Sequence, residues 1–278
     1  MERKQEQDDD TTLLAGEYGV VTKHENTARK VFKLHENKPG SPDLMLSMKR
    51  ENAALKLLTK HAVSNVPHLI TSGINFHQDT NGHIVHEGVI VMTWCGDPFV
   101  GPIEAEDELR NIAQSLTGVL ARIHQLGLIH RDIKIENLVR ESETGKTFLI
   151  DFGISRHLAV EKSGRGLPAP MTSNISCIAH RAPEASYAVC CQREMVSYTS
   201  AIDIWSLGST LLELVTGMDD MPIVGGWEDV RSVCMGDVRL QLEDHISASA
   251  ADFIMSCLKV APSLRPSAIQ LLEHPWLS

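Results

Sequence analysis

Apolar positions along the chain change period near residue 97. From Leu44 to Lys60, Met48, Leu55 and Leu58 fall near helical spacing behind Pro42, predicting one helix in an otherwise strand-rich region. Tyr18 to Thr22 and Arg29 to Leu34 read as two strands of a hairpin around the polar turn at His24 to Asn26. Two more strands are expected around Phe76 and from Val89 to Thr93, flanking the Asn81-Gly82 turn. Beyond Gly96-Asp97-Pro98 the pattern is helical. Asn111 to Gln125 sets Ile112, Leu116, Val119, Leu120 and Ile123 on one face. Ala201 to Thr216 is apolar nearly all round, which predicts a buried central helix. Ala248 to Val260 and Pro266 to Glu273 are further helix candidates. The expected fold is α+β, with a small β-rich lobe carrying one main helix and a larger helical lobe. The expected boundaries are a disordered acidic tail at 1–10 and a domain at 11–278. Within that domain, the N-lobe is 11–94, the joint lies near 93–97 and the C-lobe is 97–278.

Composition narrows the possibilities. Lys and Arg number 26 against 36 Asp and Glu, a formal net charge of −10. Nucleic acid is therefore not expected as a partner, because phosphate backbones require a basic face. A basic peptide remains compatible, as does plain solubility. No apolar run approaches the roughly 20 residues of a membrane helix, and the charged start from Met1 to Asp10 is not a signal peptide, so neither membrane insertion nor secretion is expected. The six cysteines form no CxxC pair and are expected to be reduced thiols. Together these place the chain in the cytoplasm or nucleus. His83 and His86 are set aside as a metal pair, since strand residues three apart face opposite sides.

The densest chemical signal is His130-Arg131-Asp132-Ile133-Lys134-Ile135-Glu136-Asn137, followed by a short apolar strand, a polar turn at Glu141 to Lys146, and Phe148-Leu149-Ile150-Asp151-Phe152-Gly153. Phosphoryl transfer needs an aspartate to orient the attacking hydroxyl and accept its proton, and oxygen ligands for a divalent cation that bridges phosphates. Each fragment alone would be a surface loop or a turn. Their order and spacing make chance implausible.

Here the chain resembles the eukaryotic protein kinase family, serine/threonine branch, from about Leu13 to its C-terminus. The resemblance implies ATP and Mg²⁺ as cofactors. It assigns Asp132 as catalytic base, Lys134 as support for the transferring phosphate, and Asn137 and Asp151 as metal ligands. Arg181-Ala182-Pro183-Glu184 closes the activation segment, and Asp203-Ile204-Trp205-Ser206-Leu207-Gly208 matches the family's central helix. Arg265 is expected to pair with Glu184 in a buried salt bridge, with Glu184, Asp203 and Arg265 as structural supports. The implied activity is transfer of the γ-phosphoryl group to Ser or Thr hydroxyls of proteins. The alternative is a pseudokinase-like scaffold that binds partners with weak or no turnover.

The N-terminal half is less regular. The resemblance places Leu14, Gly16, Gly19 and Val21 in the phosphate-covering loop, with Leu14 replacing the first glycine. It makes Lys33 the phosphate-contacting strand lysine and Glu51 its helix partner; without the downstream motifs both would read as surface charges. Val31 falls where a small residue usually lies over adenine, Met92 at the entrance to the space behind it, and Thr93 to Cys95 at the hinge; Val139 completes the nucleotide contacts. Cys177 replaces a threonine that bonds the catalytic aspartate, and a thiol is the weaker donor. Thr172, with Ser173 second, is the expected regulatory phosphorylation site, faced by Arg50, Arg131 and Arg156. Glu136 and Glu213 match positions that favour arginine upstream of the target hydroxyl, although both are equally readable as structural. The activator and upstream kinase are not legible.

Overall fold

The computed structural model describes residues 11–16, 19–33, 44–78, 84–99, 102–158, 169–172, 180–190, 195–217 and 242–278. The acidic tail, the Asn81-Gly82 turn, Ser173 and Cys177 lie outside the described residues. The chain divides into two compact units, Met1–Ala62 with Pro67–Trp94, and Val63–Val66 with Cys95–Ser278.

The first unit is an antiparallel sheet of five strands: β1 (Thr11–Gly16), β2 (Gly19–His24), β3 (Thr27–Lys33), β4 (Leu69–Gln78) and β5 (Ile84–Thr93), in the order β1-β2-β3-β5-β4. Strand β1 was not anticipated. Helix α1 (Leu44–Lys60) has the expected bounds and buries Met48, Glu51, Ala54, Leu55 and Leu58, a stripe at steps of three and four. Gly88 lets this helix close on the sheet, because a Cβ there would stand 2.2 Å from the Met48 sulfur. Phe32 lies opposite Gly88, and Lys30 opposite Ile90. Strand residues alternate faces, so Ala28, Lys30 and Phe32 share the face that α1 covers. Lys33 belongs to the other.

The second unit is built around α2 (Glu106–Gln125) and α4 (Ala201–Thr216). Every residue of α4 from Ile202 to Leu214 is buried, as its all-round apolar character predicted. Helix α3 spans Pro183–Cys190, α5 Ala248–Cys257 and α6 Ala268–Leu272. A Cβ on Gly208 of α4 would lie 2.7 Å from the Cβ of Cys257, so glycine sets the α4–α5 approach. Short strands hold the loops: β6 (Asp97–Pro98), β8 (Leu138–Arg140) and β9 (Thr147–Leu149) form one sheet, and β7 (Leu128–Ile129) pairs with β10 (Arg156–His157). β11 (Ala169–Thr172) pairs with β12 (Met195–Tyr198). Among the described residues, no helix is long and apolar enough to cross a membrane.

Candidate active site

In the second unit the site grows from a buried carboxylate. Asp203, in the first turn of α4, is fully buried and accepts hydrogen bonds from the backbone N–H groups of His130 at 2.9 Å and Arg131 at 2.8 Å. His124 Nε2 lies 2.8 Å from the same carboxylate, which can only accept, so that nitrogen carries the proton. Burial by itself would raise the Asp203 pKa. The His124 hydrogen bond and charge and the Arg131 N–H outweigh burial and hold it below the ordinary value. Two consecutive N–H groups aimed at one carboxylate fix the backbone of the 130–131 loop. Arg131 consequently sits at φ 76°, a left-handed conformation that costs a non-glycine residue about 1–3 kcal/mol. Its guanidinium is buried and bonds the Ile154 carbonyl at 3.0 Å.

The anchored loop presents Asp132. Lys134 Nζ lies 2.9 Å from its Oδ2, and Asn137 Nδ2 donates to the same oxygen at 2.9 Å and to the Asp132 carbonyl at 2.7 Å. Both amide hydrogens of Asn137 are thereby directed at Asp132, which leaves its amide oxygen as an acceptor. The pairing of β8 with β9 and the bond from Ile150 N–H to the Asn137 carbonyl, 2.9 Å, bring Asp151 to the same loop cluster. Asp151 is also left-handed, at φ 62°, and accepts from Gly153 N–H at 3.1 Å. Phe152 is fully buried edge-on against His130, with ring centroids 4.7 Å apart. The His130 ring accepts the Asp132 N–H at Nδ1, 3.3 Å, and so donates from Nε2 to the Ile150 carbonyl at 3.0 Å. A carboxylate and an amide oxygen are hard donors of the kind Mg²⁺ takes, and Asp151 and Asn137 fit that role.

The expected pair of Arg265 and Glu184 is present and bidentate, both contacts at 2.8 Å. The remaining Arg265 N–H groups bond the carbonyls of Lys259, Ala201 and Val260. This one side chain ties the start of α3 to α4 and to the end of α5.

In the first unit one expectation is corrected. Glu51 pairs with Lys30, not Lys33: Lys30 Nζ is 2.8 Å from Glu51 Oε2, with the side chains 6% and 1% exposed. Lys33 is exposed. The two lysines are three residues apart on one strand, so only one can share the sheet face that α1 covers. Two positions before Lys30, on the same strand face, stands the small residue Ala28, which is buried.

Gly19, at φ 146°, needs to be glycine, because a Cβ would lie 2.4 Å from the Val31 carbonyl oxygen. Gly16 pairs with Gly19 and Leu14 with Val21 in the β1–β2 register. Met92 is buried at the end of β5. The Thr93 N–H is bonded to the His68 carbonyl at 2.9 Å and the Trp94 N–H to the Asn26 carbonyl at 2.8 Å. Those two backbone donors are used within the unit. Cys95 and Val139 are buried in the second unit. Of the regulatory set, Arg50 belongs to the first unit and Arg131 and Arg156 to the second, while Thr172 stands opposite Met195 in the β11–β12 pair.

The arrangement is an aspartate-centred loop with a carboxylate and an amide oxygen as candidate metal ligands beside it. The protein kinase domain family model matches residues 10–277, and the chain belongs to that family. It is 33% identical over 183 residues to protein kinase wis1 of Schizosaccharomyces pombe, covering 64% of this chain and 29% of wis1. It is 31% identical over 182 residues to MAP kinase kinase PBS2 of Saccharomyces cerevisiae, covering 64% of this chain and 26% of that protein. With a calcium and calcium/calmodulin-dependent serine/threonine-protein kinase of Lilium longiflorum the identity is 32% over 213 residues, 72% of this chain and 37% of that protein. The chain thus spans well under half the length of these relatives.

Proposed function

We propose that the chain is an ATP-dependent serine/threonine protein kinase. The observation that carries this reading is the Asp132 carboxylate held between Lys134 and Asn137, each 2.9 Å from Oδ2. When bound, ATP supplies the γ-phosphoryl group and Mg²⁺ offsets its charge. Asp132 orients the acceptor hydroxyl and takes its proton as the oxygen–phosphorus bond forms and the bond to the nucleoside diphosphate breaks. Lys134 steadies the charge that develops on the transferred group. Asn137 and Asp151 would hold the metal through their oxygens. Lys30, with Glu51 keeping its ammonium charged and aimed, serves the α- and β-phosphates, and Ala28, Gly16, Gly19, Val21, Met92, Cys95 and Val139 supply further nucleotide contacts.

Substrates are proteins. A preference for basic peptides rests on Glu136, which is exposed beside the catalytic loop; Glu213 is buried. Phosphate at Thr172 or Ser173 is the proposed switch, drawing on the arginines at 50, 131 and 156. The pseudokinase alternative loses weight with the pairing of Lys30 and Glu51, since the phosphate lysine is then present and buried.

The test is transfer of labelled phosphate from ATP to a degenerate peptide library by purified protein, beside Asp132→Asn. Labelled serine or threonine is expected with wild type and very little with the variant. Equal labelling by both, in preparations free of other kinases, refutes the assignment. Mass spectrometry of the active preparation reports phosphate on Thr172 or Ser173.

A further inference from the structure

Strand β4 closes one end of the five-stranded sheet and is bonded to β5 on one side only. Along its other side, the backbone from Ile70 to Gln78 makes no bond to another element among the described residues. Open edges invite strand pairing, and sheets guard them with short strands, lysine, proline or bulges. β4 is ten residues long and holds no Asp, Glu, Lys, Arg or Pro. The opposite edge, β1, is six residues long and follows directly on Asp8-Asp9-Asp10 in the sequence. One guard remains on β4. The register shift between Leu69 and Thr71 makes Ile70 a bulge, which interrupts regular pairing at that end.

The edge is also apolar. Ile70, Ile74 and Phe76 are 53%, 41% and 66% exposed. Ser72, Ile74 and Phe76 share one face of the strand. It is the face that carries α1, since Ser72 Oγ donates to Asn52 Oδ1 at 3.0 Å and Ile74 stands opposite Gly88, which meets Met48. Helix α1 covers Ser72 and leaves Ile74 and Phe76 open. Phe76 stands opposite His86 of β5, edge-on, with ring centroids 4.8 Å apart, and most of its surface still meets solvent.

This strand is complementary to its own copy. Antiparallel pairing about a two-fold axis at Asn75 sets each Ile74 opposite the other protomer's Phe76. Ser72 then faces Gln78, and pairing stops short of the bulge at Ile70. An aromatic ring against a β-branched side chain is a favourable cross-strand pair, and the symmetry makes it twice. Charge favours the same occupant. The chain carries a net charge of −10, so two copies repel in general, and an uncharged strand is where they can meet.

We propose that the chain forms a symmetric dimer through β4: two copies pair edge to edge from Ser72 to Gln78 and join their sheets into one. The contact is small, so the dimer is weak and reversible rather than permanent. It stands apart from the kinase reading above.

The experiment uses the full chain. Sedimentation equilibrium from micromolar to millimolar concentration is expected to show reversible association of monomer to dimer. Phe76→Lys lowers the net charge and so eases general repulsion, yet it should weaken the dimer roughly 10-fold or more, because a charge then meets an apolar side chain at both symmetry-related pairs. The melting temperature of the dilute monomer should hardly change, since the side chain is exposed. Cysteines read the register. Asn75→Cys lies on the axis, where opposed strand residues have Cα atoms about 4.5–5.5 Å apart, within disulfide reach, and should give a covalent dimer under mild oxidation that wild type does not. Gly73→Cys, which has open space for a side chain, should not, because its counterpart is residue 77. Wild type that stays monomeric throughout overturns the proposal and leaves a strand from another protein as the remaining occupant. So does association that Phe76→Lys leaves intact, or linkage through Gly73→Cys rather than Asn75→Cys. Growth beyond the dimer marks open-ended aggregation and overturns it equally.

Discussion

Exchanging the two lysines of β3 separates the structural assignment from the one the sequence suggests. Lys30 and Glu51 are 6% and 1% exposed and 2.8 Å apart, so Lys30→Met leaves a buried carboxylate without the ammonium it faces. Breaking a buried pair from one side costs about 3–5 kcal/mol, a large share of the 5–15 kcal/mol that holds a typical domain together. At about 2–4 °C per kcal/mol for a chain of this size class, the melting temperature should fall roughly 6–20 °C. Lys33 is exposed, and Lys33→Met should change stability by no more than about 0.5 kcal/mol. Phosphotransfer, assayed well below the lower melting temperature, should drop by about 100-fold or more for Lys30→Met, the scale of losing one fixed charge-stabilising donor. It should stay near wild type for Lys33→Met. The double variant Lys30→Met/Glu51→Leu removes both charges and should recover most of the stability while phosphotransfer remains lost. The reasoning is refuted if Lys33→Met is the inactive variant and Lys30→Met turns over normally.

Two further outcomes are expected. The stability supplied by Asp203, whose pKa is held below its ordinary value, is fully present above the unfolded aspartate pKa of about 3.9 and is lost as pH falls through the lower folded value. Melting curves of wild type and Asp203→Asn should therefore differ most near neutral pH and converge below about pH 4; a gap that stays constant with pH contradicts the assignment. Arg265→Lys should destabilise by about 3 kcal/mol or more in chemical denaturation despite keeping the charge, because an ammonium cannot reproduce the two contacts to Glu184 together with three carbonyl bonds. A change below about 1 kcal/mol would show that charge alone suffices there.

Much of the architecture follows from local pattern. The apolar spacing of α1 and the all-round apolar character of α4 each gave the element and its ends, because burial leaves a periodic trace in sequence. The contiguous run from His130 to Asn137, and Asp151 a short hairpin later, marked the loop cluster that assembles around Asp132, because its residue types stand at fixed spacing. The choice between Lys30 and Lys33 was not written locally. Both sit on one strand near apolar neighbours, and only the docking of α1, with Met48 against Gly88, decides which sheet face meets Glu51. The period-two rule that set aside His83 and His86 applies equally here, but it says only that the two lysines part company, not which faces the helix. His180 and Glu213 show the same limit. They are 33 residues apart, in a short segment and on a long helix, and neither neighbourhood announces their buried contact, 3.0 Å between His180 Nε2 and Glu213 Oε2. The sequence by itself determined the main helices and most strands of the first sheet, and singled out the candidate reacting groups. Which polar side chains meet in the interior was decided by tertiary packing, because a contact between distant residues depends on how whole faces are brought together, and no local period encodes that.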